Sequence, residues 1–259
     1  MKWPSDTWFS AQWFSAQWFS RVVAIPLAPV LIVQSRRLRR TIPRLPDAVL
    51  PWTGMLAGPN PVRLLVLGDS TASGVGARTQ ANALPGNLAG ALRERFARGS
   101  SWNAIGRNGA TARDIITDYL GDATADQYDL VFLTIGANDA LGLRSRGAFR
   151  RDVRTIVVRL REASPRALIL VSLMPRFDRF ASLVNPVKWN LALHAASLDD
   201  AARKGVAGMP GVFAIPKPAP YTPEFWATDG FHPSEQGYRE WVDFALDAAP
   251  DVLLDEFLS

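Results

Sequence analysis

The stretch V-R-L-L-V-L-G-D-S, residues 62–70, constrains the fold most, because an apolar run closed by glycine reads as a strand buried on both faces. Comparable runs recur as W-N-A-I-G (102–106), D-L-V-F-L-T-I-G (129–136), A-L-I-L-V-S-L-M-P (167–175) and the shorter G-V-F-A-I-P (211–216). Helical spacing fills the intervals. Leu84, Leu88, Ala91, Leu92 and Phe96 share one face, as do Phe149, Val153, Ile156, Val157 and Leu160. Residues 110–122 read as a helix closing near Gly121, and residues 189–205 as another. Tyr238, Trp241, Val242, Ala245 and Leu246 mark the inward face of a last amphipathic helix over 234–249. Strands alternating with helices require right-handed crossovers and a parallel sheet with helices on both sides. The expected fold is therefore α/β: a three-layer α/β/α sandwich of flavodoxin-like type with a five-stranded parallel sheet.

In such sheets ligands bind beyond the carboxyl ends of the strands. Four segments stand there: G-D-S-T-A-S-G with Ser70, G-R-N-G-A-T with Gly109, G-A-N-D with Asn138, and D-G-F-H-P with Asp229 and His232. Singly they say little. A serine in such a turn is usually a cap, a glycine there usually serves backbone geometry, and an asparagine usually caps or turns. The D-x-x-H before Pro233 reads by itself as a solvated turn opening a helix. Gathered at one sheet edge, they comprise a hydroxyl, an imidazole, a carboxylate to orient it and donors for an oxyanion, which acyl transfer through serine requires. Other motifs fail. No G-K-[ST] follows the first glycines, so no phosphate loop is present, and no G-x-G-x-x-G follows the first strand. Ala72 stands where G-x-S-x-G needs its second glycine.

In order and spacing the four segments resemble the conserved blocks of the SGNH hydrolases, also called GDSL esterases or lipases, over roughly residues 62–249. The first block departs slightly, with Thr71 where many members carry Leu or Tyr. The resemblance implies Ser70 as nucleophile, His232 as base and Asp229 as its partner. It implies an oxyanion hole from the N–H groups of Ser70 and Gly109 and the side-chain amide of Asn138. The expected function is hydrolysis of small-molecule or lipid carboxylic esters through an acyl-enzyme, without metal or organic cofactor. Polysaccharide O-deacetylation with the same machinery is the alternative; a non-catalytic, membrane-tethered binding module is the alternative of another class. Asp69 and Asp139 flank the site and read as braces for the loops. Asp114, Asp118 and Asp122 read as a solvated helix face, and His194 as a structural or surface histidine. Phe177, Phe180 and Leu183, in the loop over 176–187, read as a wall or lid for an acyl chain.

Composition narrows the partners. The 259-residue chain has no cysteine and two histidines, which excludes disulfides and a cysteine nucleophile and disfavours a histidine-rich metal centre. Seven of the 29 basic residues and two of the 24 acidic ones precede residue 62, leaving 22 of each beyond it. A neutral main domain has no electrostatic attraction to nucleic acid. Residues 62–259 read as the hydrolase domain and 41–61 as a Pro/Gly-rich linker. Residues 1–40 form a separate segment. Its S-A-Q-W-F repeat advances a helix by about 500° per copy, so it makes no single apolar stripe. The apolar run over 22–33 and the basic Q-S-R-R-L-R-R after it point to a membrane anchor within residues 8–40, with the main domain on the cytoplasmic side. Without the anchor the expectation is a cytoplasmic protein.

Overall fold

The computed structural model describes residues 43–258, apart from 173, 181–182 and 217–221. One sheet contains β1 (Thr53–Leu56), β2 (Val62–Gly68), β3 (Ser100–Gly106), β4 (Leu130–Thr134), β5 (Leu168–Ser172) and β6 (Val212–Ala214). The spatial order is β1-β3-β2-β4-β5-β6. Strands β2 to β6 are parallel, and β1 lies antiparallel on β3. The five-stranded, all-parallel sheet is thus corrected to a mixed, mostly parallel sheet of six strands. The extra strand falls within the stretch read as a linker. It is four residues long, pairs on one side, and leaves Met55 76 % exposed, so no buried apolar run announces it.

Side chains alternate between two cores. Leu65, Leu67, Val131, Leu133, Ile169 and Val171 face one, while Leu64, Val66, Leu130, Phe132, Leu168 and Leu170 face the other. The second core is closed by α1 (Leu84–Phe96), α6 (Glu235–Ala248) and α7 (Asp251–Leu258), through Leu88, Leu92, Tyr238, Val242 and Leu254. The first is closed by α2 (residues 112–123, with a π turn over Ile115–Tyr119), α4 (Arg146–Ala163) and α5 (Val187–Val206). A short α3 (Ala137–Leu141) follows β4. Pro250 ends α6 and begins α7, which the single terminal helix of the sequence reading does not include.

Counting only the parallel strands in chain order gives 2-1-3-4-5, the flavodoxin-like arrangement, whose switch point lies between β2 and β4. Upstream of β1 the chain lies on the turn that follows β2. Ser73 Oγ donates to Asp47 Oδ1 at 2.7 Å, and the Ala48 N–H donates to the Ser73 carbonyl at 2.9 Å. Membrane association through the N-terminal segment is withdrawn. Among the described residues no helix is long and apolar enough to cross a membrane. The stretch on which that expectation rested, within residues 1–40, lies outside the described residues.

Candidate active site

Gly68 closes β2 opposite Gly106 on one side and Thr134 on the other. A Cβ on Gly68 would stand 2.0 Å from the Thr134 carbonyl oxygen, so the three strand ends approach closely only because the residue is glycine. Beyond it the chain winds around Asp69. The N–H groups of Ala72 and Ser73 donate to the Asp69 carbonyl, both at 3.1 Å, and the N–H of Val75 donates to the Ser70 carbonyl at 3.0 Å. Asp69 Oδ1 accepts from the N–H and the hydroxyl of Thr71, each at 3.1 Å. Burial pushes the Asp69 carboxyl above its ordinary range, against the bonds from Thr71. Ser70 is left at the head of this turn, 8 % exposed.

The D-G-F-H segment is a second tight turn. Asp229 Oδ1 accepts the backbone N–H groups of Phe231 and His232 at 2.9 Å, and Gly230 takes a left-handed φ of 61°. The other carboxylate oxygen, Oδ2, lies 2.6 Å from His232 Nδ1, and His232 Nε2 lies 3.0 Å from Ser70 Oγ. A carboxylate only accepts, so Nδ1 carries a proton, and in the neutral ring Nε2 is the acceptor facing the hydroxyl. The Asp229 side chain is 1 % exposed and that of His232 15 %. Burial raises the Asp229 carboxyl, but the His232 ring, the His232 N–H and the Phe231 N–H together hold it below the ordinary carboxylate range.

Gly109 and Asn138 leave the two strands that flank β2. Gly109 holds a φ of 85° in the turn after β3, and Asn138 lies in α3 after β4. Asn138 Nδ2 donates to the Ala110 carbonyl at 3.0 Å, joining the two segments. Among the described residues no acceptor takes the N–H of Ser70 or of Gly109. Ser70, His232 and Asp229 are thus hydrogen-bonded in series across 162 positions of chain, while Asn138 is tied to Ala110, the residue after Gly109.

The remaining polar residues sort by their contacts. Asp139 accepts the Ala112 N–H, and Asp114 forms a capping box with Thr111, where a solvated helix face was expected. His194 is fully buried on α5, its Nε2 3.0 Å from the Arg144 carbonyl, so it is structural and not on the surface.

A cavity of about 170 Å³ opens beside Ser70 and His232. Its walls include Met174, Phe180, Trp226, Phe231, Trp241 and Phe244. Phe180 packs on Trp226 and Phe231, with ring centres 4.8 and 4.9 Å apart, and Phe177 stacks behind it. Of the three lid residues expected in 176–187, only Phe180 reaches the cavity; Phe177 and Leu183 are core. Trp226 and Phe244 were not foreseen. The aromatic cluster F-W-A-T-D-G-F around Asp229 was the available signal for Trp226.

A serine, an imidazole and a carboxylate in series at the switch point of a flavodoxin-like sheet place the protein in the class of the SGNH hydrolases. More narrowly, residues 66–240 match the GDSL-like Lipase/Acylhydrolase family, and the chain belongs to it. It is 26 % identical over 249 residues, 88 % of this chain and 78 % of the relative, to the GDSL-like esterase Rv1075c of Mycobacterium tuberculosis. Among solved structures, the lipase Lip_vut3 from a goat rumen metagenome has a TM-score of 0.57 at 16 % identity, covering 73 % of this chain and 97 % of its own. The Clostridium thermocellum family 3 carbohydrate esterase has a TM-score of 0.57 at 17 % identity, covering 76 % and 100 %. Identities this low speak for the fold alone. The family is that of an esterase/lipase-type hydrolase.

Proposed function

We propose that the protein hydrolyses carboxylic esters through an acyl-enzyme on Ser70. The observation that carries this reading is the 3.0 Å contact of Ser70 Oγ with His232 Nε2, continued by the 2.6 Å contact of Nδ1 with Asp229. A serine hydroxyl is a weak nucleophile at neutral pH until a neighbouring imidazole takes its proton. Ser70 Oγ attacks the ester carbonyl carbon while its proton moves to Nε2. The carbonyl oxygen becomes an oxyanion facing the N–H groups of Ser70 and Gly109 and the free N–H of the Asn138 amide. Collapse breaks the C–O bond, and the imidazolium gives its proton to the departing alkoxide. Water then repeats the sequence on the acyl-enzyme and frees the acid. Asp229 holds the ring in its tautomer and stabilises the imidazolium.

The aromatic cavity beside Ser70 supports an aliphatic acyl group as the preferred substrate half. A cavity of about 150 Å³ takes one benzene, so this one suits a chain of roughly six carbons. It disfavours polysaccharide O-deacetylation, because an acetyl group leaves most of such a pocket unfilled. The name of the mycobacterial relative, an esterase, agrees with this reading. A binding module without catalysis has no use for an imidazole acceptor on a buried serine. Ser70→Ala is expected to abolish turnover of p-nitrophenyl hexanoate and labelling by a fluorophosphonate probe, with an unchanged circular dichroism spectrum. Turnover that survives this substitution refutes the assignment.

A further inference from the structure

The loop after β3 and helix α3 are joined by two hydrogen bonds that run in opposite directions. Asn138 Nδ2 donates to the Ala110 carbonyl at 3.0 Å, and the Ala112 N–H donates to Asp139 Oδ2 at 2.9 Å. One such bond is a hinge, about which the Asn138 amide turns. A second bond, two residues further along the loop and one further along the helix, removes that freedom. The direction of the amide matters because its NH₂ has two donors. With one fixed on Ala110, the plane of the amide decides where the other points.

Asp139 is an uncomfortable group to keep where it is. It is 1 % exposed, and its Oδ1 has no hydrogen-bond partner among the described residues. Arg144 Nε stands 3.9 Å from that oxygen, while the Arg144 guanidinium bonds Asp152, which also pairs with Arg113. A buried carboxylate with one oxygen lacking a hydrogen bond costs stability that an alanine would not.

We infer that Asp139 is a positioning residue: by holding the Ala112 N–H it fixes the Gly109 loop against Asn138, so that both arms present their donors to one oxyanion. The inference rests on the roles given to Gly109 and Asn138 under Proposed function. Asp139 touches no reacting atom and acts only through the two segments it joins. Displacing a catalytic group by about 1 Å costs on the order of 10² in rate. The loss therefore belongs in kcat and not in KM.

Two substitutions cut the same bond from opposite ends. Asp139→Ala removes the acceptor. Ala112→Pro removes the donor, at the first residue of a helix, where proline is tolerated; Thr111 before it is already extended, with φ −93° and ψ 168°. Each is expected to lower kcat on p-nitrophenyl hexanoate about 10- to 100-fold, with KM within about threefold of the parent. Asp139→Asn keeps an acceptor oxygen and is expected to recover kcat to within about tenfold. Asn138→Ala alone is expected to cost about 10²–10³ in kcat. In that background Asp139→Ala is expected to cost less than it does in the parent, because the share carried by Asn138 is already gone and only that of Gly109 remains. If Asp139→Ala misfolds, Ala112→Pro decides the matter. If Asn138→Ala is strongly impaired while Asp139→Ala and Ala112→Pro keep the parental kcat, or change only KM, the positioning role is overturned and the oxyanion reading stands. If Asn138→Ala itself keeps the parental kcat, the oxyanion reading falls and the role of Asp139 falls with it.

Discussion

Asp229 accepts from two backbone N–H groups through one oxygen and faces the His232 ring through the other. The first pair shapes the turn, and the second contact selects the tautomer. These duties are separable by substitution. In Asp229→Asn the amide oxygen can still accept from the backbone, but its NH₂ group then faces Nδ1 and donates to it. The ring proton moves to Nε2, which can no longer take the Ser70 proton. Folding is expected to be preserved while kcat falls about 10⁴-fold, as an asparagine in this role does in chymotrypsin-type enzymes. Steady-state kinetics beside a thermal melt checks both halves; a loss below tenfold with the fold intact rules out tautomer control by Asp229. The D-x-x-H pair was legible from the chain because the two groups share a turn of four residues. The tie between Asn138 and Ala110 was not. Its acceptor is a main-chain carbonyl, which any residue type supplies.

Helix α6 carries two parts of the site at once. Its cap, Ser234, accepts the Gly237 N–H at 3.0 Å two residues after His232, so the helix start anchors the Asp229–His232 turn. Trp241 and Phe244, one helical step apart, then form a wall of the cavity. Truncating Phe244 lengthens the cavity without touching Ser70, His232 or Asp229. Each methylene newly buried is worth about 0.8 kcal/mol, so two more raise the kcat/KM ratio of octanoate to hexanoate p-nitrophenyl ester about tenfold. Phe244→Ala with an unaltered ratio means that the acyl chain lies elsewhere. The central strands were readable because burial on both faces demands unbroken apolar runs, which little else in a soluble chain produces. Strand β1 was not, since a short edge strand has half its surroundings in solvent and its sequence, T-G-M-L, is free to be mixed. The cavity was not readable either. Its walls come from the loop after β5, the segment before His232 and α6, with no spacing in common.

For the molecule as a whole, the buried carboxylates Asp229 and Asp139 contribute opposite slopes to the dependence of stability on pH. Asp229 is held below its ordinary range in the fold, so it stabilises at neutral pH, and this contribution is lost as pH falls from the ordinary carboxylate range through the lower value it has in the fold. Asp139 behaves in reverse. Burial raises it to about 6, opposed by the Ala112 N–H and by Arg144, while the carboxylates of Asp152 and Asp69 push it further up. Between pH ~4 and ~6 the folded chain therefore holds a proton at Asp139 that the unfolded chain has released. The contribution of Asp139 to stability falls as pH rises through that window and is level above it, where the ionised group costs about 3 kcal/mol at most. Asp139→Asn imitates the protonated form at every pH. Its melting temperature is expected to exceed the parent's at pH 7 by several degrees, at roughly 2–4 °C per kcal/mol for a domain of this size. The gap is expected to close as pH approaches 4, where the parent is protonated too. A gap that stays constant from pH 4 to pH 8 places its origin in packing and not in charge, and the carboxylate would then be no burden on the fold at neutral pH.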